Sequence, residues 1–176
     1  MLFGKKKSVA GLDVGSSSIK AVELEGKMSN LNLVSVGFEN LPGDTVVDGQ
    51  IMELNTVAQA IQNICSNYSI KANQVVTGVS GHSVIIKNIV LPPMSREELE
   101  ESIDWHAEEH IPYDLADISL DYHVTAEDQD STTVLIVACK RERIENIKQA
   151  IQLSGKQPVI IDIDTFALQN CYEMNY

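Results

Sequence analysis

Asp13, the serine-rich turn that follows it and Lys20 are the residues of this chain best suited to chemistry. They stand in the run VAGLDVGSSSIK, which covers residues 9–20. The apolar residues predict a buried strand that ends in a tight turn at Gly15-Ser16-Ser17, where backbone N–H groups and hydroxyls can face an anion. Lys20 supplies a cation for terminal phosphates, and the Asp13 carboxylate suits Mg²⁺ or its waters. The pattern therefore predicts a phosphate-binding loop.

Two other interpretations of this turn have to be considered. The Walker pattern G-x-x-x-x-G-K-[ST] is absent from the sequence, so a phosphate loop of that class is excluded. The same residues could instead form an ordinary hairpin turn between two strands, with Lys20 on an exposed edge.

The elements that must position the turn are predicted from hydrophobic periodicity. Alternation predicts three short strands in a meander, over residues 9–14, 19–24 and 31–38. Residues 40–49 contain Pro42 and two glycines and are predicted to be a loop. An apolar stripe predicts a helix from Glu53 to Tyr68, and residues 74–79 are predicted to be a strand. This order predicts a mixed sheet with a helix across one face.

Residues 84–157 are predicted to form a separate α+β unit. Its first strand is closed by Pro92-Pro93, and a capping box from Ser95 to Glu98 begins a helix. Two strands and a helix from about Lys140 to Ser154 follow. A buried-strand pattern then resumes, so the predicted organisation is an α/β core, residues 1–83 plus 158–176, interrupted by this inserted unit.

Charge and hydropathy limit the classes of function. The formal net charge is −12, and residues 95–130 carry thirteen acidic residues against one basic residue, Arg96. This acidic segment would repel phosphate backbones, which argues against nucleic-acid binding. No stretch is apolar enough to predict a transmembrane segment, and the opening MLFGKKK lacks the apolar core of a secretory signal. A cytoplasmic location is therefore predicted.

Three segments of the sequence carry a resemblance to a known family: LFGKKKSVAGLDVGSSSIKAVEL at residues 2–24, VSGHSVIIK at residues 79–87 and IDIDTFAL at residues 161–168. They resemble the FtsA and PilM branch of the actin-like ATPases, and the closer resemblance is to the PilM family of type IV pilus assembly. The resemblance implies half of an actin-like (ribonuclease-H-like) fold, with the core as subdomain 1A and the inserted unit as subdomain 1C.

The resemblance also implies an ATP site between two large domains. The half of that site in this chain would use Asp13, Gly15, Ser16, Ser17 and Lys20. It implies Mg²⁺ held through water by Asp13, Asp162 and Asp164, the last two at the end of the strand neighbouring the phosphate loop. Asp164 is the expected catalytic residue, because it directly precedes a helix, whereas Asp162 is expected to point into the sheet. The alternative is that both carboxylates cap the helix N-terminus.

A complete member of the family continues into a second large domain, so this chain is expected to be truncated after Tyr176. Half of a nucleotide cleft leaves the purine and one side of the phosphates in water. We therefore expect ATP and Mg²⁺ binding to be weak or absent and hydrolysis to be negligible.

The resemblance further implies a partner, the cytoplasmic N-terminal tail of the inner-membrane protein PilN, bound between the core and the inserted unit. Lys87, a lone cation in an apolar strand, is the expected contact, although its ammonium group could instead extend into solvent. The implied function is an ATP-binding scaffold that is recruited to the inner membrane through its partners and links the platform to the pilus motor ATPases. The alternatives are an FtsA-like filament protein and a small-molecule kinase of the sugar-kinase class.

Overall fold

The computed structural model of the chain describes residues 8–27, 30–81 and 84–176. The basic segment at residues 1–7 lies outside the described residues, as do His82 and Ser83, the last two residues of the predicted first part of the core. The chain divides into two compact units, Met1–Gly81 with Glu145–Tyr176, and His82–Ile144. Over the described ranges, no helix is both long and apolar enough to cross a membrane.

The described strands and helices follow one another in a mixed order. They are β1 (Val9–Val14), β2 (Ser18–Lys27), β3 (Asn30–Asn40), β4 (Val46–Val47), β5 (Gln50–Ile51), α1 (Leu54–Asn67), β6 (Gln74–Val79), β7 (Val84–Leu91), α2 (Arg96–Glu108), β8 (Ile118–Glu127), β9 (Thr132–Lys140), α3 (Arg141–Leu153), β10 (Gln157–Ile163) and α4 (Asp164–Asn175).

The first unit is built on a five-stranded sheet in the order β10-β6-β1-β2-β3. β1, β6 and β10 are parallel, and β2 and β3 complete the predicted meander by antiparallel pairing. α1 buries the apolar residues Val57, Ala58, Ala60, Ile61 and Ile64. A Cβ on Gly37 of β3 would lie 2.7 Å from Ile64 Cγ1, so the absence of a side chain there lets α1 approach the sheet.

A small hairpin occupies part of the segment predicted to be a loop. β4 and β5 pair across the two-residue turn Asp48-Gly49, and both turn residues have positive φ, 49° and 74°. This geometry corresponds to the type I′ turn that Asp-Gly favours between paired strands. The dipeptide is therefore a hairpin signal, and the loop prediction, which covered residues 40–49, was wrong at Val46–Val47.

The second unit is a three-stranded antiparallel sheet, ordered β7-β9-β8, that packs against α2. The predicted capping box is present: Ser95 Oγ accepts from Glu98 N at 3.2 Å, and Ser95 N donates to Glu98 Oε2 at 2.7 Å. The latter bond lowers the pKa of Glu98. The core is formed by buried apolar residues from the sheet and the helix, chiefly Leu99, Ile103, Ala107, Ile118, Val134 and Ile136.

The boundary between the units lies earlier than the predicted residue 157. The first unit resumes at Glu145, so most of α3 belongs to it. Ile147, Ala150 and Ile151 of α3 are buried, and Gln62 Nε2 of α1 donates to Leu153 O at 3.4 Å. Periodicity identified this helix, but it does not determine which of two units a connecting helix packs against.

Candidate functional site: the carboxyl edge of the parallel strands

The serine-rich turn joins β1 to β2 as a hairpin. Gly15 N donates to Ser18 O at 3.0 Å, and Leu41 N donates to Ser17 O at 2.8 Å, which ties the turn to the chain after β3. A Cβ on Gly15 would lie 3.2 Å from Ser18 O, so glycine is favoured there by space. Ser16 and Ser17 are exposed, and their N–H groups and hydroxyls donate to no other residue in the described part of the chain. These donors are therefore available to a ligand.

Asp13 and Lys20 lie opposite each other on β1 and β2 and form an ion pair. Lys20 Nζ is 2.7 Å from Asp13 Oδ2, and the side chains are 59% (Asp13) and 53% (Lys20) exposed. An exposed pair of this kind stabilises a protein by at most about 1 kcal/mol. The turn is thus a hairpin, as one interpretation proposed, and Lys20 also lies beside the predicted metal-binding carboxylate.

The carboxyl ends of three parallel strands meet at one edge of this sheet. β6 lies between β1 and β10, so the strand that carries Asp162 and leads into Asp164 does not neighbour the strand of the phosphate loop, and that expectation was wrong. Thr77 Oγ1 of β6 donates to Leu12 O of β1 at 2.9 Å in a buried position. This bond joins the middle strand to the loop strand one residue before Asp13.

Asp162 and Asp164 have different surroundings at that edge. Asp162 is half-buried, and its Oδ1 accepts from the N–H of Ile163 at 2.7 Å. Asp164 is exposed at the first position of α4, and its Oδ1 lies against Gly78 of β6, where a Cβ would overlap it. Ile163 occupies the N-cap position and α4 has no side-chain capping bond. Neither carboxylate therefore caps α4 through a hydrogen bond, as the alternative interpretation required. Asp164 nevertheless lies where the helix dipole favours an anion.

Two neighbouring cavities open at this edge, and Asp13 and Asp164 line both. The larger, of about 640 Å³, also exposes Lys20 and Asp162 above an apolar floor that includes Val22, Val76, Ile160 and Leu168. The smaller, of about 480 Å³, is lined on its polar side by Gly15, Ser16, Ser80, Asp44 and Asp48. The fold thus brings together every residue predicted for phosphate or metal binding except Ser17, which lines neither cavity.

Four residues of this edge were not identified from the sequence. Asp44 and Asp48 line the smaller cavity with positive φ, 61° and 49°, and the Asp-Gly turn signal could have located the second. Gly78 accommodates the Asp164 carboxylate, and Thr77 joins β6 to β1. A glycine inside a β-branched strand is itself a sign of close approach by another group.

The carboxylates do not form a ready-made metal cage. In the described ranges, no three His, Cys, Asp or Glu side chains are placed to hold a metal ion together. Mg²⁺ usually keeps several waters and takes one or two carboxylates together with substrate phosphates. Asp13 and Asp164, on either side of Gly78, fit that mode of binding and not direct coordination by three protein ligands.

Lys87, the predicted partner contact, has a hydrogen-bond acceptor within its own unit. Its Nζ donates to the carbonyl of His110 at 2.8 Å, just beyond the end of α2. A cation at a helix C-terminus is favoured by the helix dipole and by the free carbonyls there. Its ammonium group is therefore hydrogen-bonded instead of extending freely into solvent.

Comparison with known proteins places this geometry in a family. A family model described as the type IV pilus assembly protein PilM matches residues 11–176. A chain of the solved PilM–PilN type IV pilus biogenesis complex matches with a TM-score of 0.84 and 26% identity, over 95% of this chain and 50% of that one. The cytoplasmic domain of EpsL, an inner-membrane component of the type II secretion system of Vibrio cholerae, matches at 0.60 with 15% identity, over 91% of this chain and 58% of that domain.

These matches bear on the fold and on the size of the chain. The predicted α/β class, half of an actin-like fold, is confirmed, and so is the resemblance on which that prediction depended. The likeness to EpsL extends to the fold alone. The chain spans about half the length of the solved pilus protein.

Proposed function

The chain belongs to the PilM family of type IV pilus assembly proteins, and from this we propose that it is a cytoplasmic scaffold module of pilus assembly. In this proposal it docks the N-terminal tail of a PilN-type inner-membrane protein and helps to link the membrane platform to the motor ATPases. The observation that carries the proposal is the likeness, at a TM-score of 0.84 over 95% of the chain, to a chain solved in a PilM–PilN complex.

The proposal includes weak binding of ATP with Mg²⁺ at the carboxyl edge. Support comes from the free donors of Ser16 and Ser17, the Lys20 ammonium and the two carboxylates that line both cavities. A bound Mg²⁺ would neutralise phosphate charge, and Asp13 and Asp164 would hold it through water. The apolar floor of the larger cavity suits the uncharged part of a nucleotide.

Lys20 is the residue that would exchange partners on binding. Its ammonium pairs with Asp13 at 2.7 Å. An incoming polyphosphate offers Lys20 a more highly charged partner and leaves the Asp13 carboxylate free to accept hydrogen bonds from waters on a cation. Because the pair is exposed, breaking it costs little. The loop can therefore change from its paired to its ligand-bound arrangement without rearrangement of the sheet.

Asp164 is the proposed catalytic residue of the complete site. It is exposed at the start of α4 and lines both cavities, a position from which a carboxylate can orient a water molecule. One unit supplies all the residues that line these cavities. A nucleotide held from one side only keeps its purine and part of its phosphates in water. For the 176-residue chain we therefore propose weak binding and negligible hydrolysis.

Docking of the PilN tail is tested by calorimetric titration of the chain with a synthetic peptide of that tail, with a scrambled peptide as the control. We expect saturable binding of the native peptide alone. Lys87→Gln should weaken it about tenfold if the ammonium contacts the peptide, whereas Arg96→Gln, an exposed cation of the same unit, should leave it unchanged. Equal binding of native and scrambled peptides would contradict the docking function.

The Lys87 variant also changes the protein itself, so its stability must be measured alongside binding. Loss of the bond to His110 O is expected to lower the free energy of unfolding by about 0.5–1.5 kcal/mol. Weaker binding therefore counts toward a contact at Lys87 only at temperatures where circular dichroism shows the variant fully folded. Unchanged affinity in the folded variant removes Lys87 from the docking site.

A further inference from the structure

One stripe on the solvent side of α2 carries four acidic residues around a single exposed aromatic ring. Leu99, Ile103 and Ala107 bury the opposite side of the helix in the core of the second unit. Five of the exposed residues stand at i, i+4, i+7, i+8 and i+11, so they form one continuous stripe along the helix. This surface, called here the acidic α2 face, consists of Glu97, Glu101, Asp104, Trp105 and Glu108.

Trp105 lies inside the stripe and is not part of the core. Its side chain is 59% exposed, with Glu101 one turn before it and Glu108 one turn after it. Within the part of the chain that the structure describes, its one ring contact is edge-on with His106, at 4.8 Å between centroids. Tryptophan is the residue most enriched at binding hot spots, where it supplies a large rigid contact surface.

Two like-charged pairs on this face work against the stability of the helix. Glu97 with Glu101, and Asp104 with Glu108, are neighbours one turn apart, and each pair is unfavourable. Across the described residues, no ion pair compensates any of these four carboxylates. The surrounding segment has the same sign, since residues 95–130 contain thirteen acidic residues and one basic residue. The field over the face is therefore negative and without local neutralisation.

We propose that the acidic α2 face is a docking surface for an arginine-rich segment of a partner protein. The carboxylates supply the charge complement, and the exposed indole face supplies a stacking platform that favours the planar guanidinium group over the compact lysine ammonium. Nucleic acids and anionic membranes would be repelled by the same field. This surface lies on one helix of the second unit and shares no residue with the carboxyl edge or with the Lys87 contact, so it adds a binding partner to the proposed scaffold.

The test uses the fact that Trp105 is the only tryptophan in the chain, so its fluorescence reports on this face alone. The 176-residue chain is titrated with hexa-arginine and with hexa-lysine at physiological ionic strength, where exposed charges are screened beyond about 8 Å. We expect a saturable change in Trp105 emission with hexa-arginine and about threefold to tenfold weaker binding of hexa-lysine.

Two double variants separate this face from general attraction to an acidic protein. Glu101→Lys with Asp104→Lys reverses the face, and Glu127→Lys with Asp130→Lys makes the same change in net charge at an exposed turn of the same unit. With labelled hexa-arginine, anisotropy should show about tenfold weaker binding to the first variant and less than about threefold weaker binding to the second. Equal weakening by the two variants, or no saturable signal from Trp105, would overturn the proposal.

Discussion

Replacement of Gly78 by alanine tests the contact between the middle strand of the sheet and the Asp164 carboxylate. Gly78 does not have a positive φ, so alanine suits its backbone. A Cβ there would overlap Asp164 Oδ1 and lie 3.0 Å from Cγ and 3.4 Å from Cα of the same residue. The methyl group therefore fits only if the carboxylate rotates away from β6, out of the position in which it lines both cavities.

The expected magnitude follows from two opposing effects. A side chain forced out of its preferred rotamer costs about 0.5–1.5 kcal/mol. Replacing glycine by alanine at a compatible backbone position stabilises by about 0.4–1 kcal/mol, because the unfolded chain loses freedom. In the wild-type background these effects nearly cancel. In the Asp164→Ala background only the second remains, so Gly78→Ala should stabilise there, with a coupling of about 0.5–1.5 kcal/mol between the two positions.

Urea unfolding of the wild type, both single variants and the double variant, followed by circular dichroism, measures this coupling. Gly11→Ala is the matched control, because its Cβ would meet nothing nearer than Val22 O at 4.0 Å. It should change stability equally whether Asp164 is present or not. If Gly78→Ala also has the same effect in both backgrounds, the carboxylate does not lie against β6 and the account of the edge is wrong.

Two further substitutions test individual interactions. Lys20→Met should abolish binding of inorganic tripolyphosphate, measured by calorimetry. The free energy of unfolding in urea should change by at most about 1 kcal/mol, because the ion pair with Asp13 is exposed. If Lys27→Met also abolishes binding, the loss reflects general attraction between lysines and the anion and not a site at Lys20. Glu98→Gln should lower Tm at neutral pH. The Ser95 N–H lowers the pKa of Glu98 in the folded protein. The ionised carboxylate therefore contributes to folding stability above the ordinary glutamate pKa of about 4.3, and this contribution is lost as the pH falls through the lower folded pKa. The Tm difference between wild type and variant should consequently shrink in acid.

The elements with strong periodicity could be predicted from the sequence, and those that depend on partners in space could not. The predicted helix at residues 53–68 corresponds to α1 at Leu54–Asn67, because its apolar stripe is continuous and buried. The capping box was also identifiable, since its two residues lie three positions apart and the side chain of each bonds to the backbone N–H of the other. By contrast, α3 has a regular stripe, but its assignment to the first unit depends on residues such as Gln62, far away in sequence.

The site shows the same division between local and long-range information. The turn and Lys20 could be identified because they are adjacent in sequence and paired by hairpin register. The position of β6 between β1 and β10 could not be predicted from the sequence. The order of strands in a parallel sheet depends on how the crossover connections pack and not on any local pattern. The carboxylates still meet, since parallel strands place their carboxyl ends at one edge whatever their order.

The most direct test of the carboxyl edge as a nucleotide site is a titration of the isotope-labelled 176-residue chain with MgATP, followed by backbone amide NMR. We predict concentration-dependent shifts for Asp13, Ser16, Ser17 and Lys20, together with the start of α4, and no comparable shifts in the second unit. Absence of shifts at this edge at millimolar MgATP, or shifts confined to residues away from it, would contradict the account.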